Sequence, residues 1–181
     1  MSDSRPIQTV SSKIDWESPY YRIRRDDIRL QDGTAGVYNV LEIHDSVFVV
    51  PVLDDGRIVL IRNYRHTLSE WVWEVPAGGI EDGQTPDEAA RAELLEEAGG
   101  TAKELRFLLK ASTMNGIGQH IAHLYLATGV TLGETQHETL EFINIHPMTT
   151  DEVFRLVQRG EMNDCISITA LLLAQPHLQT I

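Results

Sequence analysis

The sequence contains one cysteine, Cys165, among its 181 residues. A single cysteine cannot close an internal disulfide bond, so nothing in the sequence indicates an oxidising compartment. We expect this side chain to be packed in a helix rather than reactive.

Positive charge is also scarce. Fifteen lysine and arginine residues stand against 27 aspartate and glutamate residues, which gives a formal net charge of −12. Nucleic-acid-binding proteins usually carry a basic patch, and none is visible here, so we expect no nucleic-acid partner. An acidic protein can still bind a polyphosphate when a divalent cation lies between its carboxylates and the ligand.

Long apolar runs are missing as well. The opening stretch MSDSRPIQTVSSKIDW has no apolar segment of signal-peptide length, and no later run approaches a membrane span. We therefore expect a soluble, cytoplasmic protein with no membrane partner. Apolar residues still make up 42% of the chain, which is enough for a packed core. Only about the first dozen residues are expected to lack order.

The first half of the chain has the pattern of β-strands. Residues 19–44 form short strands that break at Asp32-Gly33, and residues 46–64 form a hairpin around Asp54-Asp55-Gly56. The first of these units is too small for a core of its own. We therefore divide the chain into an N-terminal β-strand unit, residues 1–45, and a main domain, residues 46–181.

A short strand and a glycine-rich loop, WVWEVPAGGIEDGQ, precede a clearly marked helix. Thr85-Pro86-Asp87-Glu88 is a capping box with proline at the first helical position. Gly99 and Gly100 supply the helix end. The pattern predicts a helix from Pro86 to Ala98.

Three further strands and two helices are predicted in the rest of the chain. ELRFLLKAS, IAHLYLAT and LEFINIH have strand patterns, whereas TDEVFRLVQRG and the stretch from Asp164 to Ala174 have helix patterns. Strands and helices in this mixed order predict an α/β fold of the mixed α+β kind, with helices packed around a mixed β-sheet.

Three carboxylates on the capped helix form a candidate metal site. Glu93 and Glu97 lie four residues apart and share one face, and Glu96 can lean towards them. Oxygen-rich carboxylate clusters suit Mg²⁺ or Mn²⁺. Taken alone, the run ELLEE favours a solvated acidic face. With the glycine loop before it, the pattern describes a metal–phosphate site.

Residues 78–100 resemble the Nudix box, G-x5-E-x7-R-E-U-x-E-E-x-G-U, where U is a bulky aliphatic residue. The matches in register are Gly78, Glu93, Leu94, Glu96, Glu97 and Gly99. The departures are Gln84 for the first glutamate, Ala92 for the arginine and Gly100 for the last aliphatic residue. In the family that arginine orients the box carboxylates, and Arg91 points about 100° away from its place on an ideal helix.

The resemblance implies a Nudix fold, in which helices sandwich a mixed β-sheet. It also implies that Glu93, Glu97 and the main-chain carbonyl of Ala77 are metal ligands, with Glu96 as a further ligand or support. The implied cofactor is Mg²⁺, with Mn²⁺ able to substitute. These ions activate water and neutralise phosphoryl oxygens in pyrophosphate cleavage.

Beyond the box, the run VVPVLDDGRIVLIRNYRH and the segment WVWEVPAGGIEDG resemble the ADP-ribose pyrophosphatase and nucleoside-diphosphate-sugar hydrolase branch. In that branch the N-terminal strands build a dimer interface, so a homodimer is implied. Arg65 and Arg62 are candidates for phosphate contact, although Arg62 could equally be a surface charge that ends a strand. Glu74 is a candidate for orienting the sugar or the base.

Aromatic residues offer candidates for stacking on a base. Trp71 and Trp73 alternate on one strand and share a face, and core packing is the preferred role for both. Tyr21, together with Trp16 and Tyr20, lies where this branch often places a base-stacking aromatic residue from the neighbouring subunit.

The general base in this branch usually comes from an acidic loop after the box, and GETQHETLEF is the matching stretch here. Glu138 is the first candidate, followed by Glu141 and Glu134, and Glu96 is a further catalytic candidate. A solvated loop charge is an equal alternative for Glu138.

The sequence predicts Mg²⁺-dependent hydrolysis of a nucleoside diphosphate sugar to a nucleoside monophosphate and a sugar phosphate. ADP-ribose enzymes tend to carry a proline in the loop that reads STMNGIGQH here, so an ADP-, GDP- or UDP-hexose is as plausible as ADP-ribose. Gln119 and His120 lie in this loop and could contact the substrate. The alternative is a catalytically weak or inactive module that binds a nucleotide, which Gln84 and Ala92 favour.

Overall fold

The computed structural model of the chain describes residues 5–137 and 141–178. Contacts between Cα atoms divide it into two compact units. The first comprises the described part of Met1–His44 together with Ser112–Ile121, and the second comprises Asp45–Ala111 with the described part of Ala122–Ile181. The 112–121 segment therefore groups with the N-terminal strands, although the sequence pattern placed it in the main domain.

The first unit is a β-sheet with strand order β1-β2-β3-β10. Strand β2 pairs antiparallel with both β1 and β3, and β10 pairs parallel with β3. Gly33, with φ of +89°, occupies the predicted turn between β2 and β3. The bounds of the strands are β1 Ile7–Glu17, β2 Tyr21–Leu30, β3 Ala35–Ile43 and β10 Gly118–Gln119.

Strand β1 corrects the expectation that the first dozen residues lack order, which is wrong from Ile7 onward. Every residue of this strand is exposed, so no alternation of buried apolar side chains marks it in the sequence. Main-chain pairing with β2 holds it, helped by hydrogen bonds from Ser11 to Asp27 and from Ser12 to Asp26.

The second unit is built on a sheet with strand order β12-β5-β4-β11-β8, to which β6, β7 and β9 add at the sides. Strands β4 and β11 run parallel, whereas β5 runs antiparallel to both of its neighbours, β4 and β12. This mixed sheet confirms the predicted fold class. The strand bounds are β4 Ser46–Leu53, β5 Ile58–Arg65, β6 Glu70–Glu74, β7 Ala77–Gly79, β8 Gly100–Thr101, β9 Glu104–Ser112, β11 Ile121–Leu132 and β12 Ile143–Met148.

Helices cover both faces of this sheet. Strand β4 sends Val47 and Val49 to a hydrophobic cluster with helix α1, and sends Val50 and Val52 to another cluster with helices α2 and α3. The alternation follows the two-residue period of a strand that is buried on both faces. The helix bounds are α1 Pro86–Ala98, α2 Thr150–Gln158 and α3 Cys165–Leu178.

Helix α1 begins and ends as predicted. The Thr85 hydroxyl accepts a hydrogen bond from the Glu88 N–H, and the Glu88 carboxylate accepts one from the Thr85 N–H, which completes the capping box. Gly99 ends the helix in the left-handed conformation, with φ of +63°. The helix is therefore fixed at both ends, and its acidic face is fixed with it.

Cys165 is the first residue of α3 and is exposed, so the prediction of a packed side chain is wrong. Its position at the helix start, rather than in the middle, explains the difference.

Within the described residues, no helix has the length and apolar character needed to cross a membrane.

Candidate functional site

The Glu97 carboxylate joins helix α1 to the loop before it. Its Oε2 accepts a hydrogen bond of 2.7 Å from the main-chain N–H of Ala77. Only 3% of the Glu97 surface is exposed. The first residue of strand β7 and the last turn of α1 are therefore held together by one buried acidic group.

Glu93 lies one helical turn before Glu97 and packs against the same loop. A Cβ atom placed on Gly78 would collide with the Glu93 carboxylate. Gly78 has ordinary backbone geometry, so its lack of a side chain matters for space rather than for conformation. The glycine of the loop thus allows the carboxylate to lie directly on the main chain.

The electrostatic environment of Glu97 is that of a crowded acidic site. Burial raises the pKa of Glu97 well above its usual value, and the negative charges of Glu93 and Glu141 raise it further. The hydrogen bond from Ala77 and the positive charge of Arg65 act in the opposite direction. Glu93 and Glu141 therefore both lie within electrostatic reach of Glu97, and a bound cation would relieve their repulsion of it.

Arg65 and Glu74 form a bidentate ion pair beside this cluster. Arg65 Nε donates to Glu74 Oε1 at 2.8 Å, and Nη2 donates to Oε2 at 2.7 Å. Glu74 is only 6% exposed, and burial raises its pKa while the Arg65 contacts oppose that rise. Two of the predicted substrate-contacting residues, Arg65 and Glu74, are thus bonded to each other.

The loop after β11 docks on the C-terminal end of α1. The N–H of Gly133 donates to the Gly99 carbonyl at 2.7 Å, and the N–H of Gln136 donates to the Glu96 carbonyl at 2.9 Å. Nε2 of His137 lies 3.0 Å from the Glu97 carbonyl oxygen, which can only accept, so this nitrogen carries the proton.

The predicted general bases lie in and after this loop. Glu134 is exposed, and Glu141 is half-buried within electrostatic reach of Glu97. Glu138, the first candidate, lies outside the described residues. Glu96 is half-buried on α1, and its main chain is part of the loop contact.

Three positions depart from the Nudix box, namely Gln84, Ala92 and Gly100. The Gln84 side chain accepts a hydrogen bond from the Glu81 N–H at 3.1 Å and so closes the turn before α1. Arg91 Nη1 reaches the Ala102 carbonyl at 3.4 Å, in agreement with its expected displacement from the arginine position. At that position Ala92 is half-buried and carries no charge.

The remaining arginine and tryptophan candidates pack on one another. The Arg62 guanidinium lies over the Trp73 ring, 5.4 Å from its centre, and Trp73 packs against the core. Trp71 contacts Tyr64 and is 42% exposed, so core packing is the wrong prediction for Trp71.

Two candidates, Gln119 and Tyr21, belong to the first unit. Gln119 is exposed on β10 and pairs with Glu42 of β3. Tyr21 is 42% exposed and packs against Trp16 with the rings tilted and their centres 5.1 Å apart. Beside Gln119, the His120 ring nitrogen Nδ1 lies 2.5 Å from the Thr113 hydroxyl.

The donor groups at α1 fit a hard divalent cation. Among residues 5–137 and 141–178, no three acidic, histidine or cysteine side chains already stand in metal-binding positions. The predicted ligands, however, include a main-chain carbonyl, and the Glu93 and Glu97 carboxylates bracket that main chain. Oxygen donors of this kind match the preference of Mg²⁺ and Mn²⁺.

Sequence reasoning missed Asp164 and Ser167 at the start of α3. The Ser167 hydroxyl oxygen accepts a hydrogen bond of 3.0 Å from the N–H of Val75, which lies between Glu74 and the Ala77 loop. No motif marks a serine within the apolar run ISITALLLA. The one signal available in the sequence is a polar serine within an otherwise mostly apolar helix segment.

Comparison with known proteins gives a family match over most of the chain. The family model described as the NUDIX domain matches residues 42–164. This range includes β4 to β12, helices α1 and α2, and the whole acidic cluster.

Individual relatives point to the same family. The chain is 32% identical to an ADP-ribose pyrophosphatase of Mycobacterium tuberculosis, over 92% of this chain and 82% of the relative. It is 30% identical to an ADP-ribose pyrophosphatase of Bacillus subtilis, over 81% of this chain and 80% of the relative. A crystal structure of an ADP compounds hydrolase superposes on this chain with a TM-score of 0.86 at 22% identity. The superposition covers 99% of this chain and 98% of the hydrolase chain, so the two share the same fold.

Proposed function

Because the chain belongs to the NUDIX family, in its ADP-ribose pyrophosphatase branch, and is a pyrophosphatase, we propose that its substrate is a nucleoside diphosphate sugar. Hydrolysis of the pyrophosphate bond would add one water and yield a nucleoside monophosphate and a sugar phosphate. ADP-ribose and the ADP-, GDP- and UDP-hexoses are the candidates.

The observation that carries this proposal is the set of contacts between helix α1 and the loop that precedes it. Glu97 accepts the Ala77 N–H at 2.7 Å, and Glu93 lies against Gly78. Two carboxylates therefore face the main chain of a glycine loop at the start of β7. A pyrophosphate needs this combination, because its own negative charge must be bridged to the acidic side chains by a cation.

The proposed cofactor is Mg²⁺, with Mn²⁺ able to substitute. Glu93, Glu97 and the Ala77 carbonyl would hold it, with Glu96 as a further ligand or support. Such an ion lowers the pKa of bound water and neutralises charge on phosphoryl oxygens. The protein's own part is to fix these donors, and burial of Glu97 and the Ala77 hydrogen bond do so.

An acidic side chain near the cluster would take the proton from the attacking water. Glu141 is the described candidate, since its charge acts on Glu97. Glu138 remains the first candidate from the family resemblance, and Glu96 is the third. The docking of the 133–137 segment on α1 would bring this acidic stretch to the site.

Substrate contacts are proposed for side chains that belong to both units. Arg65 presents a guanidinium fork that suits phosphate oxygens, and Glu74 fixes its orientation. Arg62, Gln119 and Tyr21 are proposed to contact the rest of the substrate. Tyr21 would act from the neighbouring subunit of a homodimer, as in the branch that the chain resembles.

A homodimer and a cytoplasmic location complete the proposal, and neither nucleic acid nor a membrane takes part. Exposed apolar side chains on β1 support an association surface, since Val10 is 56% exposed and Trp16 is 49% exposed. Light scattering during size-exclusion chromatography would give the mass of a dimer. The mass of a monomer, 20.4 kDa, would remove this part of the proposal.

The second candidate function is nucleotide binding without turnover. The observation in its favour is the uncharged, half-buried Ala92 at the box arginine position, together with Gln84. The three carboxylates retained on α1 favour catalysis over this alternative.

Product identification by ³¹P NMR distinguishes the two functions. With Mg²⁺ and a nucleotide sugar, the spectrum should lose the pyrophosphate signals and gain two phosphate monoesters in equal amounts. A nucleoside diphosphate with free sugar would indicate a different reaction. Saturable binding of the same compound with an unchanged spectrum would establish the binding module instead.

A further inference from the structure

The segment Glu74 to Ala77 connects β6 to β7 and carries the groups that the proposed function uses. Strand pairing ends at Glu74 and resumes at Ala77, so Val75 and Pro76 lie between paired strands. Buried main-chain groups at such a place need other partners. The way these partners are supplied decides how rigidly the segment is held.

Each polar main-chain group described for this segment is held from a different side. The N–H of Ala77 donates to Glu97 of helix α1 at 2.7 Å. The N–H of Val75 donates to the Ser167 hydroxyl of helix α3 at 3.0 Å. Pro76 has no N–H, and its carbonyl accepts from the Val49 N–H at 2.9 Å. Two side chains from two helices therefore flank a proline whose φ is already restricted.

Ser167 is itself fixed in place. It is completely buried, and its own N–H donates to Asp164 Oδ2 at 2.7 Å. Asp164 also accepts the Ile168 N–H at its main-chain carbonyl, at 3.0 Å, which makes it the N-cap of α3. The position of the Ser167 hydroxyl is thus set by the capped first turn of the helix.

We propose that Ser167 is a positioning residue for catalysis, which holds the Val75 N–H and so fixes the Ala77 carbonyl and the Glu74 carboxylate at the metal–phosphate site. Asp164 supports it through the N-cap. This inference rests on the proposed function for its catalytic meaning, whereas the positioning itself is a property of the main chain.

Without the Ser167 hydroxyl, the Val75 N–H would lose its hydrogen-bond partner, and Glu97 would be left as the side-chain anchor of the segment. Ala77 is anchored to a carboxylate that must also serve as a metal ligand, so that hydrogen bond alone cannot define where the loop lies. Ser167 is not one of the proposed metal ligands, and it contributes an anchor two residues away. The hydroxyl therefore anchors the segment independently of the carboxylates that would hold the cation.

The test compares Ser167→Ala with a matched control in the same helix. Ala174 is also fully buried in α3, and Ala174→Gly should lower the unfolding temperature without removing a hydrogen bond to the segment. Ser167→Thr keeps the hydroxyl and is expected to restore whatever Ser167→Ala loses. If Ser167→Ala does not fold, Ser167→Cys keeps the shape and replaces the oxygen by a much weaker acceptor.

The readouts are amide hydrogen exchange at Val75 and Ala77, Mn²⁺ binding followed by electron paramagnetic resonance, and kcat with KM. In Ser167→Ala we expect faster exchange at both amides, and about a tenfold loss in Mn²⁺ affinity and in kcat with little change in KM. Ala174→Gly should keep the wild-type values of all these quantities.

Unchanged exchange and Mn²⁺ affinity in Ser167→Ala, or equal effects in Ala174→Gly, would overturn the proposal. A wild-type protein that turns over no nucleotide sugar would defeat the proposed function alone. Exchange and Mn²⁺ binding would still decide whether Ser167 positions the segment.

Discussion

The Glu97 carboxylate accepts a 2.7 Å hydrogen bond from the Ala77 main-chain N–H, and this contact joins the acidic helix to the loop that precedes it. Glu97 sits beside two other negative groups, Glu93 and Glu141, while nearly all of its surface is buried. A buried carboxylate in such company needs compensation, which the N–H, the nearby Arg65 and a bound cation would share.

Replacing Glu97 by Gln should remove most turnover and leave the fold intact. The amide keeps the shape and an oxygen acceptor for the Ala77 N–H but loses the charge that a cation requires. We expect kcat to fall by about 100-fold, with no drop in unfolding temperature, because repulsion with Glu93 and Glu141 disappears. Wild-type-like turnover would take Glu97 out of the metal site.

Gly78→Ala should disturb the site without disturbing the fold. The added methyl group would meet the Glu93 carboxylate, which is the flexible end of a side chain and would move aside. We expect kcat to fall at least about tenfold. Gly79→Ala is the matched control, since a methyl group there meets no atom within 4 Å. Equal activity in the two variants would mean that the position of Glu93 is unimportant.

Restoring arginine at position 92 tests the meaning of the box departure. Ala92→Arg should raise kcat or metal affinity, by no more than about tenfold, because the Ala77 N–H and Arg65 already act on Glu97. Arg91→Ala is the control and should leave both unchanged, since Arg91 contacts the Ala102 carbonyl. No gain in Ala92→Arg would show that other groups fully replace the missing charge.

Arg65→Ala should destabilise the protein because it leaves Glu74 buried without its partner. Buried pairs lose about 3–5 kcal/mol in this way, and partial exposure of Arg65 reduces our expectation to about 2 kcal/mol. Arg65→Lys should recover only part of that loss, since lysine cannot form the bidentate pair. Urea unfolding at neutral pH measures both, and full recovery by lysine would argue against a role for the fork geometry.

Acid should weaken the first unit through Asp26, which is 6% exposed on β2. Hydrogen bonds from Arg24 and Ser12 lower the pKa of Asp26, and Arg24 also pairs with Glu42. A lowered pKa contributes stability at pH values above the usual aspartate value of about 3.9. That contribution is lost as the pH falls through the lowered value.

The matched variant for this effect is Asp26→Asn. It should be less stable than the wild type by about 1 kcal/mol at neutral pH, and the difference should shrink as the pH falls below about 4. Trp16 fluorescence during urea unfolding follows this unit, because Trp16 lies on β1. A difference that stays constant down to pH 2 would contradict the account.

The sequence predicts helix α1 and its acidic face because both depend on local chemistry. Thr85, Glu88 and Gly99 fix the ends, and the spacing of Glu93 and Glu97 fixes the face. Strand β1 is invisible to the same reasoning, since its residues are all exposed and its stability comes from pairing with β2.

Long-range contacts also escape prediction. Ser167 is 92 residues from Val75, and nothing in its sequence neighbourhood indicates that its hydroxyl accepts the Val75 N–H. Nor does the pattern of Trp71 and Trp73 indicate which of the two remains exposed, because that depends on what covers the strand.

The most direct test of the central claim is phosphate release, coupled through a phosphatase, from a panel of compounds with and without Mg²⁺. The panel holds ADP-ribose, ADP-, GDP- and UDP-hexoses, a dinucleoside polyphosphate and a nucleoside triphosphate. We predict metal-dependent release from a nucleotide sugar that exceeds release from the other two classes. No release from any compound, with Mg²⁺ and then with Mn²⁺, would contradict the account and make nucleotide binding without turnover the better description.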